Sequence, residues 1–191
     1  PQDVVRRAQE DTAYVGLVIF LGSWSVMFAA LFFGYALYRV GVHSNTWPPP
    51  EVALVPFWMP LLNTGVILAS SIALERARRA LRRGEADGFR ALVIQALGLA
   101  ATFVLLQVGL WMALTSVGVT LASGQYATQL YLLTVFHAAH VLVGVGLLGW
   151  LRLRSHGPVQ AAWFHRTRLI AMYWHFVGVA WLLMFLLLFV V

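Results

Sequence analysis

Long apolar runs, separated by short segments that carry nearly all of the charge, set the pattern of this sequence. Five runs are each long enough to cross a bilayer as a helix, because about 20 residues span its hydrocarbon layer. The predicted spans are residues 12–38, 52–74, 91–114, 130–151 and 169–191. The pattern therefore predicts an all-α integral membrane protein with five transmembrane helices, in a single domain of residues 1–191.

Prolines and glycines mark the ends of these spans. Residues 41–51 include three consecutive prolines and are predicted to form a loop, with Trp47 at the membrane interface. Pro56 and Pro60 predict a kink in the first half of the second helix, which is expected to continue through an arginine-rich stretch and end at Gly84. Further connections are predicted at residues 115–129 and 152–168.

The distribution of arginine predicts the orientation of the chain. All thirteen basic residues are arginine, and twelve of them fall in the N-terminal tail and in the second and fourth connections. Arg39 alone falls on the other side. Cytoplasmic segments carry the excess of basic residues, so the N-terminus is predicted to be cytoplasmic and the C-terminus periplasmic. The arginines flank the spans instead of forming a patch with exposed aromatics, which excludes nucleic acid as the expected partner.

Composition narrows the function classes further. The chain is 61% hydrophobic and only 10% charged, whereas a soluble domain carries about 25% charged residues. It contains no cysteine, which excludes disulfides and thiolate metal sites. No aspartate or glutamate lies within the five spans, and this argues against a proton pump, ion channel or ion-coupled transporter that works alone. Glu75, at the end of the second span, is expected to form a solvated ion pair with the arginines around it.

Three histidines are the only candidates for ligand chemistry in the spans. His137 and His140 share one face of the fourth helix, while His175 opens the fifth span near the cytoplasmic surface. One metal or haem site would need its ligands at one depth. We therefore expect neutral histidines that hydrogen-bond to neighbouring helices, with no catalytic, cofactor or metal site in this chain. Tyr173 and Trp174 are placed with His175 at the interface, where amphipathic rings are common.

Small polar residues are predicted to hold helices together, among them Asn63, Thr64, Ser70, Ser71 and Gln107. The Gln107 side chain would hydrogen-bond either to a facing helix or to backbone groups that a kink leaves unpaired. The arginine run at the end of the second helix suits anionic lipid head groups, with Arg76 and Arg79 as candidates, but it is equally consistent with a topology signal alone.

Five motifs occur in order along the chain. They are Trp47-Pro48-Pro49, Pro60-Leu61-Leu62-Asn63-Thr64 with Ala69-Ser70-Ser71, Leu105-Leu106-Gln107, Phe136-His137-Ala138-Ala139-His140-Val141, and Tyr173-Trp174-His175-Phe176-Val177 with Trp181. Together they resemble the subunit III family of the haem-copper oxidases, over nearly the whole chain. The length resembles the short bacterial form, which has five helices and lacks the first two of the seven-helix form.

This resemblance implies a fold and a role. It implies two groups of helices, the first two and the last three, around a lipid-filled cleft with bound phospholipid. It implies a non-catalytic subunit of a terminal respiratory oxidase in the bacterial inner membrane, of the aa3 type that oxidises cytochrome c. The chain would pack on subunit I, support proton uptake and protect the active site during turnover. Subunit II, a fourth subunit and a respiratory supercomplex are further expected partners, and haem and copper are expected in the partner subunits.

The resemblance gives the motif residues a structural role and no catalytic one. These residues are Asn63, Ser70, Ser71, Gln107, His137, His140, Tyr173, Trp174, His175, Phe176 and Trp181. Three carboxylates of the family pattern are missing, since their positions hold Ser25, Leu110 and Gly178, and Arg168 stands where a glutamate is common. A role of those carboxylates in proton delivery therefore does not carry over, and a scaffold that binds lipid remains.

Alternatives stay open at this point. The chain would also fit subunit III of a quinol oxidase, or an accessory protein of nitric oxide reductase, because these share the family pattern. A stand-alone transporter or a haem-binding membrane protein is a more remote alternative. It would show transport, or a visible absorption band, when the chain is purified alone.

Overall fold

Five long helices make up the described part of the chain. The computed structural model describes residues 2–41, 57–155 and 162–190, and within these ranges there is no strand. The helices are α1 (Gln2–Gly41), α2 (Trp58–Arg82), α3 (Ala86–Ser116), α4 (Gln125–Arg154) and α5 (Ala162–Phe185), and α5 continues as a π-helical turn, Leu186–Val190. All five contain a run that is long and apolar enough to cross a membrane, which confirms the predicted all-α fold with five spans.

The second helix starts later than the sequence suggested. Because α2 begins at Trp58, Pro60 lies in its first turn, where a missing backbone N–H removes no hydrogen bond from the helix interior. The kink predicted at Pro60 is therefore wrong. At the other end α2 stops at Arg82, and Gly84 has a φ of 76°, as expected for a helix that ends at a glycine. Some predicted features lie outside the described residues. They are residues 42–51 of the first predicted loop, which include Trp47, the proline at position 56, and residues 156–158 of the last predicted connection.

Helices α2 to α5 form the main bundle, and α1 lies on its outside. The closest pair is α2 and α3; α5 packs on α2 and α4, and α4 packs on α3. Helix α1 packs mainly on α5 and less on α4. The predicted grouping into the first two and the last three helices is therefore wrong. A connection of only three residues folds α3 back onto α2, so these two helices stay together as an antiparallel hairpin.

Small residues on α2 explain how closely α3 approaches. Ser70, Ala73, Ala77 and Ala80 follow one another at helical spacing along one face, and each is buried. Small side chains let two helix backbones come close, which favours van der Waals contact where lipid gives no hydrophobic drive. The Ser70 hydroxyl donates a hydrogen bond of 2.9 Å to the carbonyl oxygen of Ala96 on α3.

The outside of the bundle is apolar. Exposed side chains include Val26 at 70% and Phe33 at 65% on α1, Leu105 at 71% on α3 and Val179 at 55% on α5. Such a surface is stable only against hydrocarbon or another membrane protein. The arginines gather at the end of the bundle where α2 and α4 finish and where α3 and α5 begin, and we refer to it as the arginine-rich end.

Candidate functional site

Buried polar side chains lie at the centre of the bundle and connect its helices. The Asn63 amide nitrogen donates to the Gln107 side-chain oxygen over 3.3 Å, which joins α2 to α3. The Trp181 indole N–H donates to the Thr64 hydroxyl oxygen over 3.0 Å, which joins α5 to α2. The Thr64 hydroxyl in turn donates a 2.9 Å hydrogen bond to the carbonyl oxygen of Pro60. The prediction that Asn63 and Gln107 face a neighbouring helix is confirmed.

His137 is held by aromatic rings. Its ring centroid lies 5.4 Å from that of Trp181, 5.9 Å from Phe103 and 6.5 Å from Phe28. The side chain is 1% exposed, and neither ring nitrogen has a hydrogen-bond partner among the described residues. The expected hydrogen bond to a neighbouring helix is therefore wrong for His137, since the facing helices present rings at its depth.

His140 lies on the same face of α4 and is also buried, as predicted. Its Nδ1 is hydrogen-bonded to the carbonyl oxygen of Phe136 in its own helix, and its ring packs edge-on against Trp24 of α1. Its backbone carbonyl accepts a 2.9 Å hydrogen bond from the Tyr173 hydroxyl on α5. The ring of His140 thus bonds within α4, and the backbone of His140 makes the bond between helices.

The signature segment of α5 packs into the bundle. Tyr173 is 3% exposed and Trp174 is fully buried against the other helices. Burial within the bundle does not set the depth of a residue in the bilayer, so the interfacial position of Tyr173 and Trp174 stays a prediction. His175 and Phe176 are only partly buried.

Gly144 makes room for Trp174. A Cβ atom built at Gly144 would lie 2.7 Å from two carbons of the Trp174 ring and 3.3 Å from Tyr173. Real Cβ contacts are longer than this, so α4 and α5 can keep this packing only with glycine at position 144. Gly144 thus permits the close approach of α4 and α5.

The three positions that lack the family carboxylates have different surroundings. Ser25 is exposed on α1 and donates to the carbonyl oxygen of Leu21 over 2.8 Å. Leu110 is fully buried in the core. Gly178 is buried, and a Cβ atom there would lie 3.6 Å from the Ser71 hydroxyl on α2. These positions do not converge on one site.

Charged groups occur at the arginine-rich end. The Glu75 carboxylate forms an ion pair with the Arg78 guanidinium at 2.7 Å and lies 3.8 Å from the Arg79 guanidinium. The ion pair predicted for Glu75 is therefore confirmed. Across residues 2–41, 57–155 and 162–190, no group of three or more metal-ligating side chains is close enough to hold a metal ion.

Two cavities at this end were not predicted. The first, which we call the arginine pocket, has a volume of about 260 Å³ between α2 and α5, and its lining includes Arg78, Arg82, His165, Thr167 and Arg168. The second, the apolar groove, has a volume of about 580 Å³ between α1, α4 and α5, and its lining includes Leu17, Phe20, Leu147, Trp150, Ile170 and Arg166.

Arg76 and Arg79, the head-group candidates from the sequence, are both exposed and line neither cavity. The spacing of Arg78 and Arg82, four residues apart on one helix face, is the signal that would have found the arginine pocket. The contribution of α5 to both cavities depends on packing between distant helices, which no local pattern specifies.

Comparison with known proteins gives a consistent result. A profile of the family described as "Cytochrome c oxidase subunit III" matches residues 6–191. The chain is 34% identical to "Cytochrome c oxidase subunit 3" of Thermostichus vulcanus, in an alignment that covers 94% of this chain and 88% of that protein. It is 31% identical to the protein of the same name from Corynebacterium diphtheriae, with 97% and 91% covered. It is 33% identical to that from Lumbricus terrestris, with 90% and 67% covered.

Proposed function

We propose a function from the premise that this chain belongs to the cytochrome c oxidase subunit III family, and is therefore a multi-pass membrane subunit of an oxidoreductase complex. It is the non-catalytic third subunit of an aa3-type oxidase that receives electrons from cytochrome c. It packs directly on subunit I, and the haem and copper reside in the partner subunits.

The observation that supports a scaffold role most strongly is the use of the buried polar side chains. One hydrogen bond joins Asn63 on α2 to Gln107 on α3, and a second joins Trp181 on α5 to Thr64 on α2. The carboxylates that a proton path at depth would need are absent from the spans. The chain thus supports proton uptake by holding the shape of the complex and does not conduct protons itself.

The test is the lifetime of the complex during catalysis. Oxidase purified without this chain is expected to retain its initial rate of oxygen consumption but to lose activity faster with each turnover. Restoring the purified chain should restore the lifetime. An unchanged lifetime would contradict the proposal. Co-purification of a copper-binding subunit II would favour cytochrome c as the donor, while its absence would favour the quinol branch.

We also propose that the apolar groove holds a phospholipid chain. Its walls are apolar except for Arg166, whose guanidinium lies 5.5 Å from the ring centroid of Trp150 and 6.0 Å from that of Trp163. A cation fixed between aromatic rings at the end of a groove for hydrocarbon suits a phospholipid with its head group at that end. Arg76 and Arg79 remain candidates for more peripheral head groups.

Native mass spectrometry of the solubilised chain tests this groove. R166Q should reduce retained phospholipid, because the anionic head group loses its cation. R154Q is the matched control, since Arg154 is exposed at the same end and lines neither cavity. Equal lipid retention in both variants would argue against a head group at Arg166.

The proposed location is the bacterial inner membrane, with the arginine-rich end in the cytoplasm. Because the chain contains no cysteine, single cysteines report the side directly. In intact cells R83C should resist a membrane-impermeant maleimide, whereas L121C, in the exposed loop between α3 and α4, should react. The reverse labelling pattern would contradict the proposed orientation.

A further inference from the structure

The arginine pocket carries chemistry that the proposed function does not use. It lies between the last turns of α2 and the first two turns of α5, and three guanidinium groups line it, from Arg78, Arg82 and Arg168. His165 and Thr167 are its other polar lining residues. Its residues are separate from those of the apolar groove.

Most of the positive charge in the pocket is not neutralised. Glu75 lies 2.7 Å from Arg78 and balances that one arginine. Within the part of the chain that the structure describes, neither Arg82 nor Arg168 has a carboxylate within 4.0 Å. Arg168 lies 5.3 Å from the ring centroid of Tyr14, a contact that orients the guanidinium without removing its charge. The pocket therefore attracts an anion.

Buried polar atoms in the pocket supply a second, independent indication of a ligand. Thr167 is fully buried, and its hydroxyl has no hydrogen-bond partner among the residues described. The Nε2 atom of His165 is buried there too and is likewise without a partner. Buried polar groups are normally paired, because an unpaired one loses its hydrogen bonds to water without replacement. The Thr167 hydroxyl is thus free to donate a hydrogen bond to a ligand.

We propose that the arginine pocket binds a phosphate group. Guanidinium groups match phosphate oxygens in geometry and charge, so Arg82 and Arg168 hold two of the oxygens while the Thr167 hydroxyl donates to a third. The first turn of α5 adds the positive end of a helix dipole on the same side. The phosphate belongs either to an anionic phospholipid head group or to a free phosphate compound in the aqueous phase.

The full chain in detergent micelles is sufficient for the test, so the outcome does not depend on the oxidase role or on lipid in the apolar groove. Binding of inorganic phosphate is measured by calorimetry, and retention of phosphatidylglycerol against phosphatidylcholine by native mass spectrometry. R82Q removes a cation of the pocket, and T167V removes only the hydroxyl and keeps the shape. R83Q is the matched control, because Arg83 is exposed directly after α2 and does not line the pocket.

R82Q and T167V should each weaken binding by about tenfold, and R83Q by less than about twofold. Saturable binding of inorganic phosphate identifies a free phosphate compound; selective retention of phosphatidylglycerol alone identifies a lipid head group. If neither probe binds, if R83Q weakens binding as much as R82Q, or if only one of the two pocket variants has an effect, the proposal is overturned. The melting temperature of T167V should not fall, because the hydroxyl has no hydrogen-bond partner to lose. If it does fall, T167S, which keeps the hydroxyl, must retain phosphate binding.

Discussion

Gly144 provides the sharpest test of how α4 and α5 are held together. In G144A the new Cβ atom would lie 2.7 Å from the ring of Trp174, whereas ordinary contacts begin at about 3.4 Å. Trp174 is fully buried, so a shift of its ring must displace other core side chains or open the helix pair. The two helices must therefore separate, or the ring must leave its preferred rotamer.

The cost follows from two opposing effects. Overpacking a well-packed core typically destabilises by about 1–3 kcal/mol. Replacing glycine by alanine inside a helix returns about 1 kcal/mol, because alanine has the better helix propensity. G146A isolates the second effect, the gain in helix propensity, since a Cβ atom at Gly146 on the same helix meets nothing within 4 Å. The difference between the two variants is thus the packing cost alone, about 1–3 kcal/mol.

Thermal unfolding of the two variants in the same detergent measures this difference. A chain of this size changes its melting temperature by about 2–4 °C for each kcal/mol. G144A should therefore melt about 2–12 °C below G146A, and G146A should melt at or above the unsubstituted chain. Equal melting temperatures for G144A and G146A would refute the close packing of Trp174 on α4.

Three further experiments test the polar contacts and the positions of the missing acids. T64V leaves the Trp181 indole N–H without its acceptor and should cost about 1–3 kcal/mol, while T64S should restore most of the loss, as measured by denaturant unfolding. A double-mutant cycle of N63A and Q107A should give a coupling energy of about 0.6 kcal/mol, typical of hydrogen bonds between membrane helices; zero coupling would remove this bond. G178A should change stability by no more than about 1 kcal/mol, since its Cβ meets the Ser71 hydroxyl at 3.6 Å, whereas G178D should destabilise by about 2.5–3.5 kcal/mol; an acid tolerated as well as alanine would contradict the burial of Gly178 within a membrane span.

Hydropathy was sufficient to predict the number and type of the helices, because membrane-spanning length is a strong local signal. The end of α2 at Arg82 and Gly84 was also predictable, since glycine at a positive φ is a local property. The start of α2 was not. The hydropathic run extends back to residue 52, whereas α2 begins at Trp58, and hydropathy alone does not show where a helix begins within such a run.

Packing between helices was the part that sequence reasoning missed. The polarity of Asn63 was enough to predict that it faces another helix. The hydrogen bond from Trp181 to Thr64 could not be predicted in this way, because it depends on the rotation of α5 against α2. His137 shows the same limit. A buried histidine suggests a hydrogen bond, yet the residues that surround its ring come from α1, α3 and α5, and only the tertiary structure brings those rings together.

The peripheral position of α1 has a consequence for the order of assembly. This helix precedes the others in the chain, so it enters the membrane before them during synthesis. Its main contacts are to α5 and α4, which are made after α2 and α3. Helix α1 must therefore remain in the bilayer by hydropathy alone while α2 and α3 pair beside it, as in two-stage folding of membrane helices. Docking of α1 is then the closing step, and a chain cut short before α5 would leave this helix without most of its contacts.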